Sequence, residues 1–278
     1  MIHDNQTNLL YLADTLPKFY PTFFKRFEKV LNDCNITFQL LPNTKDVWAV
    51  DYMPIQIESG KFIRFVYKPK YLKSKADLKT ISNTDTICEK IGIETTKSNL
   101  MIDGGNVLRS SDKVLMTDRI FEENPAIDHK QLIKELRDLF QVDKLFLIPE
   151  QPKDLTGHAD GMVRFFDDHT LIINDYKNEK KEFMRAFELA IHNTGLDYIK
   201  IPYNVDGNKK DIQANGVYIN YLQMENIIIV PTFGIKEDDD VVKQFEENFK
   251  GQSIVTVNSK EIANEGGILN CISWNIKK

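Results

Sequence analysis

The sequence predicts an α/β fold built as a five-bladed propeller, a closed ring of five repeated units that each contain one helix and about three strands. Two observations predict it. Five amphipathic helical segments alternate with β-branched runs along the 278 residues. Marker residues in the five runs that follow the helices recur at intervals of 54 or 55 residues. Recurrence at a fixed period is typical of repeat architectures, and sheet-bearing units can close into a ring. The alternative is an ordinary α/β sheet with evenly spaced elements.

The helical segments are identified by apolar residues that recur three and four positions apart. They are predicted to begin near Pro21, Leu78, Asp128, Glu179 and Glu237. Proline suits the first turn of a helix, and Asp128 with Gln131 three residues later matches a capping pattern. The second segment is rich in Thr and Ser, which makes it the weakest of the five helices.

A short apolar or β-branched run follows each helix and is predicted to be a strand. These runs begin at Ile36, Ile91, Lys144, Asp197 and Ser253, and their markers are Ile36, Ile91, Leu145, Ile199 and Ile254. Between one such strand and the next helix there is room for two more, for example at 162–166 and 170–174. No linker-like composition interrupts the chain, so we expect a single domain over residues 1–278.

Composition excludes several classes of protein. A hydrophobic share of 42% and a charged share of 28% are ordinary for a globular chain, which excludes collagen-like, disordered and disulfide-scaffold proteins. The net charge of −5 gives no footprint for nucleic acid or anionic lipid, and it suits a cationic small partner. Neither a signal peptide nor a membrane span is predicted. With three unpaired cysteines and no zinc spacing, we expect reduced thiols in the cytoplasm and no metal.

Residues capable of chemistry lie at similar distances after the marker strands. They are Asp51, Asp103, His158 with Asp160, Asn215 and Cys271. If rotation relates the five units, these loops converge at one end of the ring axis. They would then bring carboxylates, an imidazole, an amide and a thiol into one pocket.

Each of these residues also has a purely structural interpretation. Asp51 could cap a turn, Asp103 begins a common Asp-Gly-Gly turn, and Cys271 could be a core thiol. His158 is the most specific of the five histidines, because a two-residue step places Asp160 on the same side of an extended segment. A shared site is favoured because these residues lie at similar distances after their marker strands.

The motifs around these residues resemble the guanidine-modifying pentein superfamily, and within it the agmatine deiminase and bacterial peptidylarginine deiminase branch. The motifs are WAVDYMP, DGGN, GHADGMVRF, YINYL and GGILNC, from about Trp48 to the end of the chain. The resemblance implies a five-bladed α/β propeller, hydrolysis of a guanidinium group and no redox cofactor.

The resemblance also implies roles for individual residues. Cys271 would be the nucleophile and His158 the general acid and base, oriented by Asp103. Asp51 and Asp160 would hold the guanidinium nitrogens. Two further residues are assigned to the substrate pocket, Asn215 as a match to a family asparagine and Trp48 as an apolar wall, although Trp48 could equally pack within its own blade.

We therefore expect a cysteine hydrolase that converts agmatine to N-carbamoylputrescine, a step of polyamine biosynthesis. The alternatives are a deiminase of peptidyl or free arginine, an amidinotransferase, and a non-catalytic protein that binds guanidine or a protein partner. A homo-oligomer is left open. Three positions depart from the family pattern, namely Val50, where Arg is usual, Met53 and Asn270. They put the substrate and full activity in question.

Overall fold

Fifteen strands form five three-stranded sheets in the computed structural model, which describes residues 1–278. The strands are β1 Leu9–Ala13, β2 Phe38–Leu41, β3 Ile55–Glu58, β4 Lys61–Val66, β5 Thr96–Met101, β6 Leu108–Arg109, β7 Lys113–Thr117, β8 Lys144–Ile148, β9 Val163–Phe165, β10 Thr170–Asn174, β11 Asp197–Ile201, β12 Leu222–Met224, β13 Ile227–Thr232, β14 Ser253–Asn258 and β15 Ser273–Ile276. The predicted five-bladed α/β propeller is confirmed.

All five sheets have the same topology. The middle strand (β1, β4, β7, β10 or β13) pairs antiparallel with one neighbour (β15, β3, β6, β9 or β12) and parallel with the other (β2, β5, β8, β11 or β14). The antiparallel neighbour is mostly buried, whereas the parallel one is largely exposed or half-buried. We therefore call the antiparallel neighbour the inner strand of each blade and the parallel one the outer strand.

Helices connect each middle strand to its outer strand, because a parallel pair needs a long crossover. The helices are α1 Leu16–Phe19, α2 Pro21–Asp33, α3 Ala49–Tyr52, α4 Lys75–Leu78, α5 Thr84–Ile91, α6 Arg119–Glu123, α7 His129–Phe140, α8 Lys181–Thr194, α9 Asp238–Asn248 and α10 Lys260–Ala263, with 3₁₀ turns at Asp4–Gln6, Gly104–Asn106 and Ala159–Gly161. The crossovers of the five blades contain α2, α5, α7, α8 and α9 respectively. None of the ten helices is long and apolar enough to cross a membrane.

Four of the five predicted helix starts agree with the structure to within two residues. At the third, the Asp128 side chain caps α7 by accepting hydrogen bonds from the backbone N–H groups of Lys130 and Gln131 at 3.0 and 3.2 Å. The agreement reflects strong local signals, namely proline in a first turn and acidic residues at helix starts.

The prediction for the second helix was wrong. Leu78 ends the short helix α4, and the crossover helix α5 begins only at Thr84, after Asn83 caps it. The sequence pattern predicts Ile91 in a strand, but Ile91 is the last residue of α5. Gly92 ends that helix in the left-handed region, at φ 71°. The outer strand starts at Thr96, so successive outer strands begin 48 to 58 residues apart and the period is less regular than the markers indicated.

The ring is closed by pairing the two ends of the chain. The middle strand of the first blade, β1, comes from the amino end and pairs with β15 from the carboxyl end, Leu9 to Leu12 lying opposite Ile276 to Ser273. Trp274 of β15 is 5% exposed and its indole N–H donates to the Pro54 carbonyl oxygen at 2.8 Å. Its ring lies 5.2 Å from that of Tyr11, so one side chain joins both ends of the chain to the next blade.

We expect Trp274→Ala to destabilise the protein by about 3–5 kcal/mol, because it removes a large buried side chain and leaves a cavity. The free energy of unfolding from denaturant titration measures this. Leu189→Ala is the matched control, since Leu189 is 60% exposed and its loss should cost less than about 0.5 kcal/mol. Equal stability of the two variants would contradict ring closure at this residue.

Candidate active site

The predicted site residues lie on short turns that immediately precede the inner strands. Asp51 is in α3 four residues before β3, Asp103 stands five residues before β6, and Cys271 lies two residues before β15. His158 and Asp160 occupy the turn that leads into β9. Because the inner strands surround one axis, their preceding turns meet at one end of it. The structure brings these five residues together.

Two carboxylates flank the buried imidazole of His158, which is 4% exposed. Nε2 lies 3.0 Å from Asp103 Oδ2, and Nδ1 lies 3.4 Å from Asp51 Oδ1. Burial acts to lower the pKa of His158, but the carboxylates of Asp51 and Asp103 outweigh it and raise that pKa to about 10. The imidazole is therefore held in its protonated form at neutral pH.

Gly105 provides the space in which these groups meet. Its N–H donates to Asp51 Oδ1 at 3.0 Å. A Cβ at this position would lie 2.7 Å from Asp51 Oδ1, 2.8 Å from His158 Nδ1 and 3.3 Å from Asp160 Oδ2. Any larger residue would push the imidazole and the two carboxylates apart, which explains the Gly-Gly that follows Asp103.

Asp160 is 2% exposed and is held by two amides. Asn270 Nδ2 and Asn220 Nδ2 donate to Asp160 Oδ2 at 2.7 and 2.9 Å. Burial raises the pKa of Asp160, while His158 and the Asn270 hydrogen bond oppose the rise. These contacts fix the direction of the carboxylate and leave its second oxygen free of them.

The thiol of Cys271 lies against the same carboxylate, with Sγ 3.5 Å from Asp160 Oδ2. The backbone around it is fixed, because the Cys271 N–H donates to Asn220 Oδ1 at 3.3 Å and its carbonyl accepts from the Val50 N–H at 3.3 Å. Burial, together with the negative charges of Asp160 and Asp51, raises the pKa of this thiol well above its ordinary value. The thiol is therefore protonated at neutral pH while the site holds no cation.

Asn215, the predicted pocket amide, does not reach this cluster. Its Nδ2 donates to Asn208 Oδ1 at 3.0 Å and to Asn264 Oδ1 at 2.9 Å, within a network of loop side chains. The amide that this blade contributes to the site is that of Asn220, two residues before β12 in the YINYL motif. The preceding loop is long, so a count from the outer strand selected the wrong asparagine, whereas a count back from the inner strand finds Asn220.

A cavity of about 810 Å³ opens onto the cluster. It reaches Cys271, His158, Asp51 and Asp160, and Trp48 forms part of its wall. A Cβ on Gly267 would overlap the Trp48 ring and lie 2.9 Å from Cys271 Cβ, so the indole packs close beside the thiol. Trp48 also packs against the main hydrophobic core, so both interpretations of this residue agree with the structure.

Charged side chains surround the outer part of the cavity. The sequence alone places no cation near the pocket, but four exposed lysines line it in the structure, namely Lys153, Lys180, Lys209 and Lys210. Exposed Leu155 and Ile212 lie among them. The inner cavity is thus acidic and the rim is mixed in charge.

Comparison with known proteins identifies the family. The model of the Porphyromonas-type peptidyl-arginine deiminase matches residues 10–276. The chain belongs to this family. A putative agmatine deiminase from Mycoplasma mycoides is 23% identical over 221 residues, which are 67% of this chain and 60% of that protein. The agmatine deiminase of Medicago truncatula is 22% identical over 207 residues, 63% of this chain and 54% of that protein. The chain thus spans about 60% or less of the length of these two relatives.

Solved structures share the fold at low sequence identity. The C. jejuni agmatine deiminase superposes with a TM-score of 0.82 at 18% identity, covering 100% of this chain and 95% of that one. DDAH from Pseudomonas aeruginosa gives a TM-score of 0.59 at 10% identity, covering 97% of this chain and 99% of that one. This chain therefore shares its fold with both of these structures.

Two of the three departures from the family pattern contribute to the site in this deiminase-family chain. Val50 acts through its backbone, since its N–H binds the Cys271 carbonyl and its carbonyl oxygen packs against Gly104. Asn270 donates to Asp160 through its side chain. Met53 is buried in a hydrophobic cluster between the first and second blades.

We expect Gly105→Ala to lower kcat/KM by at least about 10²-fold, because in an active site a displacement of the reacting groups by about 1 Å is costly. Gly207→Ala is the matched control, since a Cβ on Gly207 meets nothing within 4 Å and its φ does not require glycine. Steady-state kinetics on a guanidine substrate measures both variants. A fully active Gly105→Ala protein would show that the packing around Asp51 and His158 is not needed.

Proposed function

We propose that this chain is a cysteine-dependent hydrolase that converts the guanidinium group of a small substrate, agmatine first, to a ureido group with release of ammonia. The observation that carries the proposal is the single cavity in which the Cys271 thiol, the His158 imidazole and buried carboxylates meet. We also propose that residues 1–278 act as one catalytic domain, in a reducing cytoplasm that keeps its three free cysteines reduced.

Binding of the guanidinium is the first step. A guanidinium is a planar, delocalised cation and a poor electrophile, and two carboxylates can fix its plane by paired charge-assisted hydrogen bonds. Asp51 and Asp160 would supply them, since an oxygen of each lies within 3.3 Å of the position that a Cβ on Gly105 would occupy. Because Cys271 Sγ lies 3.5 Å from Asp160 Oδ2, a guanidinium bound there would present its carbon to the sulfur.

The substrate would also activate the thiol. In the free protein, burial and the carboxylates raise the pKa of Cys271 and keep its proton in place. A bound cation neutralises part of this negative charge, so it lowers the pKa of Cys271 and reduces the stabilisation of the His158 imidazolium. The thiol proton then passes to solvent, since His158 is already protonated, and the thiolate forms only when there is a guanidinium to attack.

Bond formation and cleavage follow from these positions. The thiolate forms a bond to the guanidinium carbon, and the tetrahedral adduct expels ammonia after His158 protonates the leaving nitrogen. Water deprotonated by the same imidazole adds to the remaining amidino carbon. The C–S bond then breaks, releasing the ureido product and returning the thiol. Asp103, 3.0 Å from His158 Nε2, would hold the imidazole in position throughout.

A deiminase of free or peptidyl arginine is the second candidate, and one observation favours it. The rim lysines could bind an α-carboxylate or an acidic peptide segment. An amidinotransferase would need an amine in place of water and would form a new guanidine. A non-catalytic binder would form neither a ureido product nor a new guanidine.

Assays of ureido product over agmatine, free arginine and arginyl peptides test the function. We expect turnover of agmatine and a loss of at least about 10³-fold in Cys271→Ala, because the nucleophile is essential to the covalent step. Cys34→Ala is the control, since Cys34 lies at the end of α2, within another part of the fold. Turnover of arginine or arginyl peptides alone would reassign the substrate, and full activity of Cys271→Ala would reject the hydrolase.

The thiol should titrate differently with and without a cation. In the free protein we expect the ultraviolet absorbance of the Cys271 thiolate to appear at a pH above the ordinary thiol pKa of about 8.5. The titration should move to lower pH when a non-reactive guanidine binds. Burial raises the pKa of Cys88 to about 11, so the difference from Cys271→Ala isolates the signal. Asp160→Asn should lower the pKa of Cys271 in the free protein. Identical titrations with and without the guanidine would contradict substrate-assisted ionisation.

A further inference from the structure

We propose that Asp46 binds the distal cation of a substrate that has a guanidinium at one end and an ammonium at the other, and so selects agmatine-like molecules over those with neutral or anionic tails. The inference rests on the proposed function of the site and extends it to the far end of the substrate. Asp46 lies in the loop between β2 and α3, outside the cluster of Asp51, Asp103 and Asp160.

Asp46 and Trp48 lie along one wall of the cavity. Both line it, and the Trp48 N–H donates to Asp46 Oδ1 at 3.3 Å. The Trp48 ring packs against Gly267, which lies beside Cys271. A substrate whose guanidinium is at the thiol can therefore run along the indole, and its far end then approaches Asp46.

The Asp46 carboxylate has no counter-ion in the protein. It forms no ion pair, and its side chain accepts a single hydrogen bond, from the Trp48 N–H. Burial raises its pKa to about 7, a rise that this hydrogen bond opposes. A buried carboxylate without a partner is unfavourable, so a cation that reaches it gains both the ion pair and relief of that cost.

Several other acidic groups of the cavity are less suitable, because they are partnered or exposed. Asp77 Oδ2 accepts from the Ser74 N–H at 2.9 Å, and Glu265 is exposed. Asp154 Oδ1 already accepts from the N–H and the hydroxyl of Thr156 at 2.9 Å each. Asp206 and Asp211 are exposed and close in sequence to Lys209 and Lys210. Asp46 is half-buried beside Trp48, and its charge acts on Tyr67, which also lines the cavity.

The chemistry of an aminoalkyl guanidine fits this wall. The flat apolar face of Trp48 suits a methylene chain, and the carboxylate beyond it suits a terminal ammonium. The same negative charge would repel the α-carboxylate of arginine. The competing explanation is that Asp46 only shapes its turn through the Trp48 N–H, a role that an amide oxygen could also fill.

Binding to the intact chain separates these explanations. Calorimetry on Cys271→Ala gives the Kd of agmatine and of pentylguanidine, which replaces the terminal ammonium by a methyl group. The measurement is repeated with Asp46→Asn added, which keeps the size and the acceptor but removes the charge. Asp138→Asn is the control for net charge, because Asp138 is exposed on α7 and paired with Lys134.

We expect Asp46→Asn to weaken agmatine roughly 10- to 100-fold, as for the loss of a charge-assisted hydrogen bond, and to leave pentylguanidine within about twofold. Asp138→Asn should change neither. Equal weakening of both ligands would assign Asp46 a structural role and overturn the proposal, as would an unchanged agmatine Kd or a failure of both ligands to bind. Turnover by the protein with Cys271 intact is measured separately. If the protein turns over no guanidine but Asp46→Asn still weakens agmatine and not pentylguanidine, the proposed hydrolase function is rejected and the cation site at Asp46 is supported.

Discussion

An excess of buried negative charge at one end of the ring is the constraint on which the rest of the site depends. Asp51, Asp103 and Asp160 are each 9% exposed or less, and His158 is the one cationic group among them. Buried charge is tolerated where a partner compensates it, and here one imidazolium faces three carboxyl groups. The carboxyl groups raise the pKa of His158 against the effect of burial, and for the Cys271 thiol they add to the rise that burial causes. A guanidinium would correct the imbalance and would release the thiol proton in the same event.

The propeller stabilises this concentration of charge because hydrogen bonds from several blades hold the carboxylates. Each blade delivers a turn to the axis, and each charged group is fixed by groups from other turns. Asp51 accepts from Gly105 of the neighbouring turn, and Asp160 accepts from Asn220 and Asn270 of the next two. The ring itself is closed by strand pairing between the chain ends, so a break between β1 and β15 would loosen all five turns. Positions that admit only a hydrogen atom, such as Gly105, are where these turns approach most closely.

The sequence predicted the ring and most of the cluster because both depend on local signals. Alternating helices and strands with capping residues such as Asp128 revealed the repeat, and motif agreement selected Asp51, Asp103, His158, Asp160 and Cys271. The prediction was wrong for one helix, whose ends are set by local caps, and for one asparagine, whose position depends on loop length. The helix around Leu78 was misplaced because Asn83 and Gly92 set its true ends, and Asn215 was chosen because loop length varies between the outer strand and the turn. Asp46 is not predicted from the sequence, because a lone aspartate in a loop matches no motif. Its place in the cavity wall and its single hydrogen bond are seen only in the structure.

Arginine side chains near the site turns also act on Asp160, and they offset part of the rise in its pKa that burial causes. The inner strands carry Arg109 and Arg164 a few residues beyond the site turns, and both arginines pair with Asp4 from the amino-terminal 3₁₀ turn. A small cavity of about 40 Å³ is lined by Asp4, Arg164 and Asp160 together. The positive charge of Arg164 lowers the pKa of Asp160 against the effect of burial, adding to the contributions of His158 and Asn270. Arg164 and His158 are thus two cations that together offset part of the effect of burial on the Asp160 carboxyl group, which lines both the small cavity and the large one.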